Sequence, residues 1–541
     1  MSDSNDNNGG TEPDEEGISI PQALQVAMQY LQQENLDQAE KFCALVLAAE
    51  PENSIALYIK GVVAKQAGDA DAAIDCFKNS LKSNSEFSEA ANILGVTLIE
   101  QERFDEAAFY LRIAVGKRPI YPQAHNNLGV ALKGIEDLED AAASFEMSLE
   151  QNPGDIEVLD NLGMTYCLLG RLEEAMSYLE KALAIDPNYP EALNDLGITL
   201  HDMGRYDEAI ESYRKALAAR PDYDEASYNL ALCLLLKGAF GEGWNQYEKR
   251  FSIKKFALAG VNLLGQTFWD GSALDGKTIL LFGEQGAGDS IQFIRYVERI
   301  KDMGATVVVN CAPELKTLFK TVAGIDKLIS TPEALPRFDV FAPLLSLPRI
   351  LGMTGIDDIP GNVPYLAATK NAIAERPVDT AKTHVGFVWA GNKDHQNDIG
   401  RSVPPEYFGP LVGRGGIGKD GAGKDGIAFY SLQVGERSAE IRGLDFYPQI
   451  RDIASKLTDY ALTAAFINQL DLIITVDTSV AHLAGAMGKP VWTLLPFVPD
   501  FRWMLERTDS PWYPTMRLFR QPSPGDWDSV FADVAAALKA L

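Results

Sequence analysis

Five cysteines and five histidines in 541 residues leave little material for a metal centre. Cys43, Cys76, Cys167 and Cys233 are scattered and Cys311 stands alone, with no CxxC pair and no Cys/His cluster. Neither a structural zinc site nor a disulfide framework is expected, and a reducing, cytoplasmic setting follows. Each thiol reads as a small buried hydrophobe. Positive charge is also scarce: 48 Lys and Arg against 76 Asp and Glu give a net charge of −28. Nucleic acid and anionic membranes both need a basic footprint, so neither is an expected partner. No uninterrupted apolar run has the length to cross a bilayer. Residues 1–19 are polar and acidic, lack the apolar segment of a signal peptide, and are expected to form a disordered tail.

What the first half does have is a period. A small residue recurs every 34 positions at Ala27, Gly61, Gly95, Gly129, Gly163, Gly197 and Ala231, and a second series runs in step at Ala39, Ala73, Ala107, Ala141, Ala175 and Ala209. Pro51, Pro119, Pro153, Pro187 and Pro221 close the units. This is the tetratricopeptide pattern, two helices per unit, with small residues where the helices approach and a proline ending the second. Such pairs cannot bury their apolar faces alone, so about seven units are expected to stack into an α-solenoid over 20–257.

After an expected linker at 258–276 the pattern changes to short apolar runs alternating with amphipathic stretches. Thr278–Phe282, Thr306–Asn310, Lys327–Ser330 and Asp339–Phe341 read as strands, Ile291–Lys301 and Glu314–Thr321 as helices. His384–Trp389, Ile427–Leu432, Leu472–Thr475 and Val491–Leu495 repeat the signal. The alternation predicts two α/β lobes of parallel strands, 277–375 and 384–541, joined by a polar hinge around 367–382. The run 413–426 is rich in glycine and reads as a surface insertion. It is not a phosphate-binding Walker loop, because Asp follows each Gly-Lys where Ser or Thr is needed.

Three segments fall at strand ends, where ligands bind in α/β folds. Gly283-Glu-Gln-Gly-Ala-Gly-Asp-Ser290 fits neither the dinucleotide nor the P-loop spacing, and places Asp289 where a carboxylate either accepts a proton from a hydroxyl or caps the following helix. Trp389–Val403 carries Arg401, a bidentate phosphate clamp or a solvated surface arginine. Asp477-Thr-Ser-Val-Ala-His482 opens a helix whose first amides, with Thr478 and Ser479, form an anion site with His482 one turn in; the alternative is an ordinary N-cap beside a core histidine.

The chain resembles the bacterial tetratricopeptide glycosyltransferases, in which a repeat array precedes a GT-B catalytic half. The overall plan is similar to that of O-GlcNAc transferase and the two lobes to the heptosyltransferases, on the strength of Gly283–Ser290, Val388-Trp-Ala-Gly391, Asp477–Ala484, Phe501-Arg-Trp503 and Ser510-Pro-Trp-Tyr-Pro514. The resemblance implies a GT-B fold of two Rossmann-like lobes, the first for acceptor and the second for a nucleotide sugar. It implies Asp289 as catalytic base and Asn392, Arg401, Gln433, Asp477, Thr478, Ser479 and His482 as donor contacts. Gln285 joins the acceptor side, together with Asn127, Asn161, Asp195 and Asn229, a polar column two residues before the repeated small position. Ser479 departs from the glycine often found there, which leaves the donor sugar and nucleotide open. No metal or other cofactor is expected. The implied reaction is transfer of a sugar to a protein hydroxyl, flagellin Ser or Thr being the acceptor suggested by analogy. A repeat adaptor with an inactive GT-B half, and an enzyme acting on a glycan acceptor, are the alternatives.

Overall fold

The computed structural model of the chain describes residues 18–253, 265–330, 333–369, 383–393, 398–415 and 426–540. Most of the expected tail, and the core of the linker, the hinge and the glycine-rich insertion, lie outside the described residues. By compactness the chain divides into two units, 1–199 and 200–541.

The described residues open with fourteen consecutive helices, from Ile20–Gln32 to Phe240–Tyr247, arranged as tetratricopeptide pairs. The repeated glycine explains the pairing. A Cβ on Gly129 would lie 2.6 Å from Phe145 Cε1, and one on Gly163 would lie 2.7 Å from Leu179 Cγ; Gly61 meets Phe77 and Gly95 meets Leu111 in the same way. Each glycine thus receives a large side chain sixteen residues further on, from the second helix of its pair. The prolines stand two residues beyond second helices such as Leu138–Gln151, which precedes Pro153. One more period appears only in the backbone. Glu34, Gly68, Glu102, Glu136, Gly170, Gly204 and Gly238 all have positive φ, from 58° to 83°, and sit in the tight turn inside each pair.

The second unit holds the last repeat helices, Tyr206–Ala219, Asp224–Leu236 and Phe240–Tyr247, together with two wholly parallel sheets. One sheet contains β1 (Thr278–Phe282), β2 (Thr306–Cys311), β3 (Lys327–Ser330) and β4 (Val340–Pro343) in the order β3-β2-β1-β4. The other contains β5 (Thr383–Val388), β6 (Ile427–Ser431), β7 (Ile450–Asp452), β8 (Leu472–Val476), β9 (Val491–Leu495) and β10 (Met516–Arg520) in the order β10-β9-β8-β5-β6-β7. The described chain is therefore an α-solenoid followed by an α/β region. The strand order reverses between β1 and β4 in the first sheet and between β8 and β5 in the second, and such reversals open the crevices in which ligands bind.

The helix expected over Ile291–Lys301 is broken. It runs Ala287–Phe293, tightens to a 3-10 turn at Ile294–Tyr296 and resumes as Val297–Asp302. Side chains have captured its carbonyls: Tyr365 Oη donates to Ile291 O at 3.0 Å and Arg295 Nε donates to Gln292 O at 2.9 Å. The last repeat packs on the lobes within this unit. Trp244 meets Phe293 and Phe501 edge-on, and the fully buried Arg250 pairs with Glu284 at 2.7 Å.

Candidate active site

The site forms where the two switch points meet. Leaving β1, the chain turns at Gly283, where any Cβ would strike the Ser290 hydroxyl, and enters the helix Ala287–Phe293. Leaving β8, it passes Asp477 and Thr478 into the helix Ser479–Ala486. These two short helices touch at Gly288, whose Cβ would stand 3.0 Å from His482 Cδ2 and 3.4 Å from Ser479 Cα. Asp289 is thereby brought beside the start of the second helix.

Asp289 makes the capping contact and an ion pair at once. Its Oδ2 accepts from the Gly286 N–H at 2.9 Å, and its Oδ1 is ion-paired with Arg502 Nη2. Each carboxylate oxygen keeps a second lone pair, so the group can still accept a proton.

The helix Ser479–Ala486 has no side-chain cap at its N-terminus. Ala481 and His482 return their N–H groups to Thr478 O, which leaves the Ser479 and Val480 amides as the ones presented outward. Thr478 Oγ1 lies 3.1 Å from Thr475 Oγ1, and Ser479 Oγ accepts from Tyr460 Oη at 2.8 Å. His482 stacks on Trp503 with ring centroids 5.3 Å apart, shares a 3.0 Å hydrogen bond between Nδ1 and Tyr513 Oη, and holds Nε2 4.0 Å from Asp477 Oδ1. Burial, reinforced by Arg502, Arg295 and Arg401, holds its pKa well below the ordinary value, so the ring is neutral at physiological pH. Burial and the nearby Asp500 push the Asp477 carboxyl up.

Arg401 ends the short helix Asp398–Arg401 beyond β5. Its guanidinium lies against Gly391, where a Cβ would clash with it. Its carboxylate neighbour, Asp398, is 3.7 Å away and shared with Arg437 at 2.6 Å, and Arg401 Nε is buried with no hydrogen-bond partner among the described residues. Asp477 and His482 both feel its charge.

The remaining expected residues divide. Gln433 is buried, and its Oε1 accepts from Trp389 N at 3.2 Å and Ala390 N at 3.0 Å, fixing the end of β5. Asn392 is exposed on the loop after β5. Gln285 Nε2 donates to Tyr247 Oη at 3.1 Å, joining the glycine-rich turn to the last repeat. Asn229 lies half-buried on the helix Asp224–Leu236 of the same unit, whereas Asn127, Asn161 and Asp195 belong to the first unit. There Asn127 Nδ2 donates to Asn92 Oδ1 and Asn161 Oδ1 accepts from Lys133 Nζ, both at 2.9 Å.

The sequence assigns no role to the side chains of Phe501–Trp503 and Ser510–Pro514, yet in the structure Arg502 is ion-paired with Asp289 and Asp500, and Trp503 and Tyr513 pack on His482. A signal was present: arginine and aromatics just past a strand that neighbours the helix-opening strand. A separate cavity of about 480 Å³ lies among Arg205, Asp207, Lys237 and Glu506, and no expected site residue lines it. Among the described residues no group of His, Cys, Asp and Glu is placed to hold a metal ion, and no helix is long and apolar enough to cross a membrane.

Comparison with known proteins finds the Tetratricopeptide repeat family over residues 123–188 and 155–222, and a family described as Anaphase-promoting complex, cyclosome, subunit 3, over 32–113. Protein FlbA of Caulobacter vibrioides is 24% identical over 315 residues, which cover 53% of this chain and 49% of the relative. The chain thus spans about half the length of the curated relative it matches. Among solved structures, MamA is 25% identical with a TM-score of 0.29, covering 30% of this chain and 94% of that one. YrrB, described as a TPR protein with an unusual peptide-binding site, is 21% identical with a TM-score of 0.31, covering 34% of this chain and 95% of that one. Tetratricopeptide repeats therefore occupy the first half of this protein.

Proposed function

We propose that residues 200–541 carry an inverting glycosyltransferase of GT-B type and that the repeats preceding them hold its protein acceptor. The observation that supports this most is the meeting of the helix that bears Asp289 with the uncapped helix at Ser479, both at topological switch points, where Asp477 and His482 also feel the charge of Arg401. In the proposed reaction the diphosphate of a nucleotide sugar sits on the Ser479 and Val480 amides and takes the Arg401 Nε hydrogen bond. The acceptor hydroxyl gives its proton to Asp289 as its oxygen bonds to the anomeric carbon. The bond from that carbon to the phosphate oxygen breaks, and the nucleoside diphosphate leaves with the electron pair. Fixed amides and a guanidinium aimed at that developing charge supply the electrostatic part of the catalysis. His482, being neutral, contributes a hydrogen bond and a stacked shape but no charge.

On this reading the phosphates need no metal, and flagellin Ser or Thr is the acceptor that the resemblance suggests. A cytoplasmic location accords with five cysteines that form no disulfide. The repeat match also favours a second reading, an adaptor whose catalytic half is inactive.

One experiment separates them. Full-length protein and its Asp289→Asn variant are titrated calorimetrically with UDP-, ADP- and GDP-sugars, and then assayed for transfer to a protein acceptor. The expected result is binding of one donor by both proteins and a loss of transfer on the order of a hundredfold or more in the variant. Near-normal turnover by Asp289→Asn removes that residue from the chemistry, and failure of every donor to bind leaves the adaptor.

A further inference from the structure

Arg502 grips two carboxylates at once. It belongs to the 3-10 turn Phe501–Trp503 beyond β9 and is 8% exposed. Its Nη1 donates to both Asp500 oxygens at 2.8 Å, its Nε donates to Gln292 Oε1 at 2.7 Å, and its Nη2 is paired with Asp289 Oδ1. Gln292 is fully buried and lies one turn after Asp289, so a single guanidinium holds the helix Ala287–Phe293 at two points. With the other Asp289 oxygen on the Gly286 amide, the carboxylate has a fixed orientation.

The count of charges matters as much as the geometry. A lone guanidinium beside a lone carboxylate weakens that carboxylate as a base. Here Asp500 takes two of the Arg502 donors and restores a negative charge to the group. The other titratable groups facing Asp289 do not replace it. Tyr228 and Tyr247, from the last repeat, are kept neutral by burial, and His482 on the helix Ser479–Ala486 is neutral. Glu284 in the glycine-rich turn is paired with Arg250.

We propose that Arg502 is a positioning residue that fixes the Asp289 carboxylate, and that Asp500 is the counter-charge that balances Arg502 in that grip. The chemistry it serves rests on the glycosyl-transfer reading, but its test does not. Full-length protein is labelled with carboxyl-¹³C aspartate, the Asp289 signal is identified by its absence in Asp289→Asn, and its titration midpoint is followed in the wild type and in Asp500→Asn. The neutral variant leaves Arg502 unopposed, which favours the ionised form, so the Asp289 midpoint should fall by about 1 unit or more. Asp500→Glu, which keeps the charge, should hold it near the wild-type value. Should Asp500→Asn lose its fold, Asp500→Ser removes the same charge while keeping an acceptor oxygen. An unchanged midpoint in whichever neutral variant folds overturns the proposal. In an active enzyme the acid limb of kcat should move to lower pH by the same amount, a displacement that loss of packing alone does not produce. A wild type that transfers no sugar sinks the functional reading, while the titration still decides this one.

Discussion

Arg401 is a cation with fewer partners than its burial calls for. Asp398 stands at 3.7 Å and is engaged more closely by Arg437, while Arg401 Nε is buried without an acceptor. A buried donor left unmade costs about 1–3 kcal/mol, and an incoming phosphate recovers that cost together with a charge-assisted bond. Arg401→Ala should therefore weaken nucleotide-sugar binding by about 1.5–3 kcal/mol in calorimetry, with the fold retained. Arg401→Lys should recover only part, because an ammonium has no planar fork. Unchanged donor affinity in Arg401→Ala places the phosphate elsewhere. Asp289, Arg401 and His482 could be singled out in the sequence because each follows a strand signal directly. Arg502 also stands just past a strand, but nothing in the spacing tells that it reaches a carboxylate more than two hundred positions earlier.

At the scale of elements, the repeats were legible because one contact recurs with the period, a ring or a leucine packed so close on Gly61, Gly95, Gly129 and Gly163 that a Cβ there would clash. The left-handed turn position has the same period yet escapes notice, because glutamate fills it at 34, 102 and 136 and only glycine advertises positive φ. The break at Ile294–Tyr296 was hidden for a different reason: the apolar pattern runs straight through it, and the cause is a tertiary hydrogen bond from Tyr365. The same scale carries a pH effect in the first unit. Burial, with Asp195 nearby, raises the Asp160 carboxyl to about 8, and burial raises Asp195 to about 6. In the unfolded chain both fall near 4. Between about pH 4 and 8 the folded state binds more protons than the unfolded one, so these groups make stability fall as pH rises. Lys133, lowered by burial, acts in the opposite sense as pH rises through its lowered pKa. Asp160→Asn should flatten the pH dependence of unfolding between pH 5 and 8, removing a slope approaching 1.4 kcal/mol per pH unit (~one proton). Denaturant titrations of wild type and variant at several pH values provide the check, and parallel curves would remove Asp160 as the cause.

For the whole molecule, the proposed division of labour is that the catalytic unit selects the donor and performs transfer, whereas the repeats select the protein that receives the sugar. The polar column gives the repeats a means to do so. Asn127 and Asn161 are half-buried, and each uses one end of its amide internally, Nδ2 towards Asn92 and Oδ1 from Lys133. An amide has donors at one end and an acceptor at the other, so the opposite ends can meet the alternating N–H and C=O groups of an extended peptide. Asn229 belongs to the same column by sequence, but it resides in the second unit, so a clean test leaves it untouched. On the proposed reading, changing Asn127 and Asn161 together to Ala removes two contacts to the peptide backbone while leaving Asp289, Arg401 and the helix at Ser479 intact. In steady-state assays of full-length protein this variant should raise the apparent KM for a protein acceptor by about thirtyfold, from about 1 kcal/mol for each of the two lost hydrogen bonds. Donor affinity and donor hydrolysis should match the wild type. That pattern is the reverse of the one expected for Arg401→Ala. A double variant that modifies its acceptor with wild-type KM shows that the column is only surface and that the acceptor is read by a different face.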